Sequence, residues 1–571
     1  MSTDPTHLDK SQDHEEEMLD QGFVARQRTR REFLRLAGAG AVALGLGGAG
    51  FLAGCGNAAT TTTSGAQTTV TTGPTTTGAG PTTTAAGPTT TAAAAGPVKG
   101  GQLLIGSIGN SADTADPNNI ASTMTANTLI FSMYDQLLAP PPVESSLAFQ
   151  LALAEEVTME NPSSWIARLR QGVTFHNGKP VTADDVIFSF KRALTKGSFT
   201  SGILNAVDPN AIDKVDDRTV RFRLKSPDSM MNEGLWQVFI VPTDFDPAKP
   251  VGTGPFKMDT FAPGSKATLS RYDGFWDQGK PYADGMVVYS FTDDTARINA
   301  LVGGQVDVLT NIDLSQVAVV QANKSVQVVA YHTPTVYSIN MNVQKEPFTD
   351  PQVRQACRFA ANRQQLVDQV FAGHAQVAND LMPGPADPNY ASDLPQRAYD
   401  PDQAKSLMQK SGKGATAIAL NTANTAPSIV DLATAYAQQA QAAGIKMTIN
   451  KLDPSVYFGP EYKNRQTSTS FWPAQTLSVQ YALSFLPDSP YNSTHFNDTE
   501  FNTLFSQARA EADATKRKDL FHQMQVIIYD RGSVVVPVNA DQVDAYSQKI
   551  GGAQPVPIVT YADTRNLWVK S

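Results

Sequence analysis

The sequence predicts a mixed α/β protein, built behind an export leader and a low-complexity tether. Three observations predict the fold class. Gln102-Leu103-Leu104-Ile105-Gly106 is a short apolar run bounded by Gly, which reads as a strand. Residues 123–138 place apolar side chains at helical spacing. Val220-Arg221-Phe222-Arg223-Leu224 alternates strictly, so one face is buried and the other wet. No repeat at a solenoid period accompanies these elements.

The leader comes first in the chain. Arg30 and Arg31 precede Phe33-Leu34, and residues 36–52 follow as an uncharged, Gly-rich stretch that ends in Leu52-Ala53-Gly54-Cys55. A run of about 17 residues is at the short limit for a spanning helix. Its modest hydrophobicity fits a signal h-region better than an anchor. Twin arginines are read by the pathway that exports folded proteins. Small residues before Cys55 resemble the lipobox of bacterial lipoproteins, in which cleavage leaves that Cys as a lipidated N-terminus. The alternative is a plain transmembrane anchor, and in both cases the body lies outside the membrane. Residues 1–55 are therefore expected to be a twin-arginine lipoprotein signal. Residues 56–97 are almost wholly Thr, Ala, Gly and Pro, with nothing to bury against the entropy of ordering. They read as a disordered tether.

Composition excludes several functions. The 571 residues are 41% hydrophobic and 17% charged, with a net charge of −9 and a pI near 5.4. Phosphate contact needs a basic face, so no nucleic-acid partner is expected. Two cysteines, one of them Cys55, exclude a disulfide framework, Cys-rich zinc sites and iron–sulfur clusters. Cys357 is then a single thiol with no neighbouring base, expected to be a buried small hydrophobe. Of the seven histidines, His176, His332 and His495 are scattered, so no metal site can be assembled from sequence. Gly45-Leu46-Gly47-Gly48-Ala49-Gly50 matches a dinucleotide fingerprint by letter, but it lies inside the export signal with no strand before it. No nucleophile elbow, His-Glu-x-x-His helix or Walker loop occurs. The sequence thus predicts no cofactor, no metal and no catalytic residue.

Within the body, Asp116-Pro117-Asn118 marks a turn. Ile166 and Leu169, then Val173 and Phe175, suggest paired strands. Thr182-Ala183-Asp184-Asp185 starts a helix running to Leu194, with Thr182 as N-cap and Asp185 at the acidic position of a capping box. Asp293-Asp294 caps another helix. Residues 169–186, reading Leu-Arg-Gln-Gly-Val-Thr-Phe-His-Asn-Gly-Lys-Pro-Val-Thr-Ala-Asp-Asp-Val, resemble the family-5 solute-binding proteins of ABC importers, which bind oligopeptides, dipeptides and nickel. The likeness continues in order through Gly252-Thr253-Gly254-Pro255-Phe256, Tyr272 with Phe275-Trp276, Gly303-Gly304-Gln305-Val306-Asp307, Asp350-Pro351-Gln352-Val353-Arg354-Gln355-Ala356 and Tyr399-Asp400-Pro401.

That resemblance implies a two-lobed periplasmic-binding-protein-like fold, with mixed sheets flanked by helices and an extra inserted domain. The first lobe would comprise residues 98–139, 252–344 and 547–571, the insert residues 140–251, and the second lobe residues 345–546. It implies a lipid-anchored, monomeric binder on the outer face of the cell membrane, which captures a small solute between the lobes and passes it to ABC permease and ATPase subunits. A surface receptor of the same fold without an importer is the alternative. Implied ligand contacts are Asn110, Asp113 and Thr114 after the first strand, Tyr337 and Asn340 on a strand that crosses between lobes, and Trp472. Alternation there sets Tyr337, Ile339 and Met341 opposite Ser338, Asn340 and Asn342. Many peptide binders of the family carry Trp-x-x-Asp, whose Asp pairs with the peptide amine. Here Gln475 stands in its place, able to accept a hydrogen bond but uncharged. A sugar oligomer, an opine-like solute, a modified peptide or another neutral ligand becomes credible, unless Asp488 takes the role.

Overall fold

The computed structural model describes residues 96–119, 123–140, 149–195, 198–554 and 562–570. Arg30, Arg31, the Gly45–Gly50 fingerprint, Cys55 and the tether up to residue 95 lie outside the described residues.

Among the described residues the main sheet has eleven strands. Its order is Met447–Lys451, Ile418–Thr422, Thr467–Trp472, Val326–Met341, Val534–Ser547, Val308–Leu309, Gln102–Ile108, Gly285–Phe291, Lys266–Arg271 and Phe256–Ala262, and Ala375–Val377 pairs with Val534–Ser547 off this path. Its central strands are buried on both faces and rich in Val and Ile, as sheets flanked by helices require.

A separate antiparallel sheet orders Ala154–Asn161, Ser164–Leu169, Thr219–Leu224 and Val207–Asp216. The alternation of Val220 to Leu224 resolves as read: Val220 and Phe222 are buried, while Arg221 and Arg223 face outward. Phe222 stacks on Phe190 of the helix Ala183–Ala193, their rings 4.8 Å apart. That helix starts as expected, with the Asp185 carboxylate accepting from the Thr182 N–H at 2.9 Å and the Thr182 hydroxyl at 2.8 Å. Asp293 caps the helix Asp294–Val302 by accepting from the Ala296 N–H at 2.8 Å.

Two expected elements differ. The helix predicted over residues 123–138 covers only Met124–Met133, and Tyr134 turns extended. The Gly254 N–H takes the Met133 carbonyl, and the Tyr134 hydroxyl reaches the Ala115 carbonyl at 2.9 Å. These tertiary contacts outbid the helical pattern. Val173 and Phe175 are buried but lie in a turn rather than a strand, where Thr174 bridges only to Pro180.

Two stretches far apart in sequence meet at His176. Its Nε2 lies 3.0 Å from the Gly254 carbonyl, and its Nδ1 accepts from the Gly252 N–H at 3.3 Å. One ring nitrogen donating and the other accepting describes a neutral imidazole. Both glycines press against the end of the Met124–Met133 helix, where a Cβ would run into the Met133 backbone.

Candidate functional site

Two long antiparallel strands, Val326–Met341 and Val534–Ser547, change neighbours along their length. Near the end of the second, Ala545 and Tyr546 pair with Val308–Leu309, which leads to Gln102–Ile108. Near the end of the first, Val336 to Met341 pair with Thr467–Trp472, which leads to Ile418–Thr422. Two half-sheets are thus joined through the same pair of strands.

Between the halves the register breaks. Tyr331 faces Gln542 and Thr335 faces Ala540, so His332, Thr333 and Pro334 stand opposite the single Asp541. Pro334 has no N–H to give the ladder, and extra residues of this kind bend a strand. The break is held by His332 Nδ1 at 2.6 Å from Asp541 Oδ1 and by the Thr333 hydroxyl donating to the Ala540 carbonyl at 2.9 Å.

Strand directions then bring two sets of strand ends together. Gln102–Ile108 runs parallel to Val308–Leu309, and hence in the same sense as Val326–Met341, whereas Thr467–Trp472 and its parallel neighbours run against it. The carboxyl ends of both half-sheets therefore point toward the break. Gly106 is level with Leu309, Ala545 and Val328, and Trp472 is opposite Val336. The loops after Ile108 and after Trp472 approach the break from its two sides. Crevices outside the carboxyl ends of strands are where open α/β sheets bind ligands.

The expected contact residues are placed as follows. Asn110 is exposed and its side chain accepts from the Ala112 N–H at 2.8 Å. Asp113 is buried and already accepts four hydrogen bonds, from the hydroxyls of Thr123 and Ser290 at 2.7 and 2.6 Å and the N–H groups of Asn110 and Gly264 at 3.1 and 3.3 Å. Thr114 accepts from the Asp116 N–H at 3.0 Å. Tyr337 is buried between Phe371 and Phe471, and its hydroxyl donates to the Pro427 carbonyl. Asn340 is buried, bridging the hydroxyls of Ser338 and Ser493 at 2.9 Å each. Trp472 is buried edge-on to Tyr491. Gln475 is buried, and its amide has no hydrogen bond to any described residue. Asp113, Tyr337 and Asn340 are thus committed to internal partners, and Gln475 is uncommitted. Asp488 is exposed, on the wall of a cavity that Lys225 also lines.

Several residues at this junction carried little signal in the sequence. Pro334 inside a strand could have betrayed the break, because Pro is confined to edges and bulges. Glu233 gave none. Its carboxylate accepts from the hydroxyl of Thr476, the residue after Gln475, at 2.9 Å, and from that of Ser478. Burial pushes its pKa up to about 7, against the pull of Arg509. Asp387, buried nearby, accepts from the Leu477 N–H at 2.7 Å and is likewise raised by burial. Among the described residues no group of three or more His, Cys, Asp or Glu is arranged to hold a metal, and no helix is long and apolar enough to cross a membrane.

The sequence profile described as "Bacterial extracellular solute-binding proteins, family 5 Middle" matches residues 148–503, more than half of the chain. The chain belongs to this family. Its family and fold are those of extracytoplasmic binding proteins rather than enzymes. Among curated relatives of this family-5 protein is the glutathione-binding protein GsiB of Salmonella typhi, 26% identical over 490 residues that cover 81% of this chain and 94% of GsiB. Similar solved structures include the periplasmic binding protein DppA of Helicobacter pylori in complex with the peptide STSA. It has a TM-score of 0.74 at 20% identity and covers 83% of this chain and 99% of its own. AgaA of A. tumefaciens R10 in complex with agropinic acid also has a TM-score of 0.74, at 22% identity, over 82% of this chain and 99% of its own. The two half-sheets and the strands that join them are the two-lobed fold of these proteins.

Proposed function

We propose that this family-5 protein captures a peptide-like or other small solute in the crevice at the His332–Pro334 break and delivers it to the permease and ATPase of an ABC importer. The observation that carries this reading is the convergence of the carboxyl ends of both half-sheets on the one bent, shared pair of strands. A bend there lets the halves close on a ligand, and closure is the state a permease can recognise. The proposed division follows the same geometry: residues 98–139, 252–344 and 547–571 as the first lobe, 345–546 as the second, and 140–251 as an insert. The four-stranded sheet within residues 154–224 supports that insert. Asn110, Trp472 and Gln475 are the proposed contacts, with Asp113, Thr114, Tyr337 and Asn340 shaping the walls. The protein acts as a monomer without cofactor. Export through Arg30-Arg31 and lipidation of Cys55 would hold it on the outer face of the cell membrane, with residues 56–97 as tether.

Gln475 favours a second reading of the ligand. An amide without an internal partner and not sealed from solvent suits a neutral or opine-like solute, or a sugar oligomer, better than a free ammonium, which gains most from a carboxylate. Mass spectrometry of molecules released on denaturing the purified protein separates the two. Short peptides support the first reading and an uncharged or opine-like solute the second, while a protein that releases nothing and that neither pool stabilises thermally contradicts both.

A further inference from the structure

The insert touches the second lobe through a run of polar contacts that solute binding does not by itself require. Asp228, just beyond the strand Thr219–Leu224, is buried in an ion pair with Arg509, which is also buried. The Arg509 guanidinium donates as well to the Ser478 hydroxyl at 2.9 Å. Ser478 donates in turn to Glu233, which also accepts from Thr476. The Ser229 hydroxyl donates to the carbonyls of Arg509 and Glu511 at 3.0 and 2.5 Å. The chain Asp228–Arg509–Ser478–Glu233–Thr476 thus crosses between insert and lobe three times. It ends on the N-cap of the helix Leu477–Ser484, the residue that follows Gln475.

The interface is not sealed by apolar packing alone. A cavity of about 760 Å³ borders Asp228 and Arg509, with Lys225 and Pro227 on the insert side and Asp488 and Phe505 on the lobe side. Where packing is interrupted, buried hydrogen-bonded charges fix relative position, because separating one partner strands the other. We propose that residues 228–233 latch the insert to the second lobe, and that Glu233 is a positioning residue which fixes the Trp472–Gln475 loop through Thr476 and Ser478. The part played by that loop in binding rests on the function proposed above; the latch itself does not.

The latch has a direction in pH. Arg509 and Asp387 face Glu233 from the lobe, together with the hydroxyls of Thr476 and Ser478. Burial pushes its pKa up to about 7, with Arg509 pulling it down and Asp387 adding to the rise. An unlatched carboxyl returns to water and its ordinary range. The closed latch therefore favours the protonated form, is fully supported below that range, and loosens as pH rises through about 7.

Hydrogen exchange on the full-length protein tests this, comparing the amides of residues 476–484 in wild type, Glu233→Gln and Glu233→Ala at pH 6 and pH 8, corrected for intrinsic exchange. Wild-type protection is expected to fall about threefold or more between the two pH values, and Glu233→Gln, which keeps shape and hydrogen bonds, to stay level. Glu233→Ala is expected to lose about tenfold in protection at both. Unchanged amides in residues 164–169 and 219–224 confirm that the variants fold. Equal protection in wild type and Glu233→Ala, or an undiminished pH response in Glu233→Gln, overturns the latch. An empty protein by mass spectrometry would remove the proposed function and leave these exchange results standing.

Discussion

The charges around Asp380 and those of the four-stranded sheet are used in opposite ways. Asp380 is fully buried. It accepts from Arg363 through both oxygens at 2.8 Å, from Arg397 at 2.8 Å and from the Val536 N–H at 3.0 Å. Burial alone would raise its pKa, but Arg363, Arg358 and Arg397 outweigh it and hold the carboxyl below its usual range. In the sheet, Arg221 meets Glu160 at 2.8 Å, Arg168 meets Glu155 at 3.0 Å and Arg223 meets Asp213 at 2.5 Å, with both partners in water. Buried pairs cannot lose a member without stranding a charge; exposed pairs trade one hydrated state for another. The Asp380 network fixes where chain segments lie, whereas the sheet's pairs keep an outward face hydrated.

Five measurements test that contrast. Asp380→Ala leaves three arginines without their acid and is expected to cost about 3–5 kcal/mol in denaturant unfolding. Because the Asp380 pKa is depressed, its contribution is present above the ordinary Asp range and is lost as pH falls through the lower folded value. Acid unfolding should therefore lose this component in Asp380→Asn. His176 comes next. Burial lowers its pKa to about 4, so what it adds to stability is present above pH about 6.5 and lost as pH falls through about 4. NMR of the imidazole should find it neutral at pH 5.5 with the proton on Nε2, and a charged ring there would refute the Gly252–Gly254 clasp. The Cys357 thiol, pushed up to about 12 by burial against the lowering pull of Arg358, should ignore alkylating reagents at pH 8 until the protein unfolds. Smallest of all, Glu160→Gln on the sheet should leave the unfolding midpoint within error.

Much of this was legible in local sequence. The Thr182–Asp185 capping box, the Asp293 cap and the alternation at Val220 to Leu224 depend only on neighbours, and each formed as the residues dictate. The family resemblance was carried by motifs whose physical link the sequence hides. The Phe-His-Asn-Gly turn and the Gly-Thr-Gly-Pro segment appear as two separate turns, and only folding shows that His176 clasps the second. The same long-range contacts ended the first helix at Met133, against its periodicity. The candidate site was harder still. Asp113, exposed to expectation as a ligand contact, is consumed by four internal donors, and Glu233 reaches Thr476 across more than two hundred residues. Neither arrangement leaves a periodic or compositional trace.

In the proposed function, the two half-sheets close on a solute about the break at His332–Pro334. Spin labels introduced by Val319→Cys and Phe458→Cys test it most directly. Both positions are well exposed, at 60% and 62%, and they lie beyond opposite half-sheets, with Cys357 buried and silent. Their distance distribution would be compared by pulsed electron resonance in protein as purified and in protein stripped of small molecules by unfolding and refolding. The account predicts a shorter, narrower distribution with solute retained, and a longer, broader one without it that contracts when the released fraction is added back. One unchanged distribution in all three samples would contradict it.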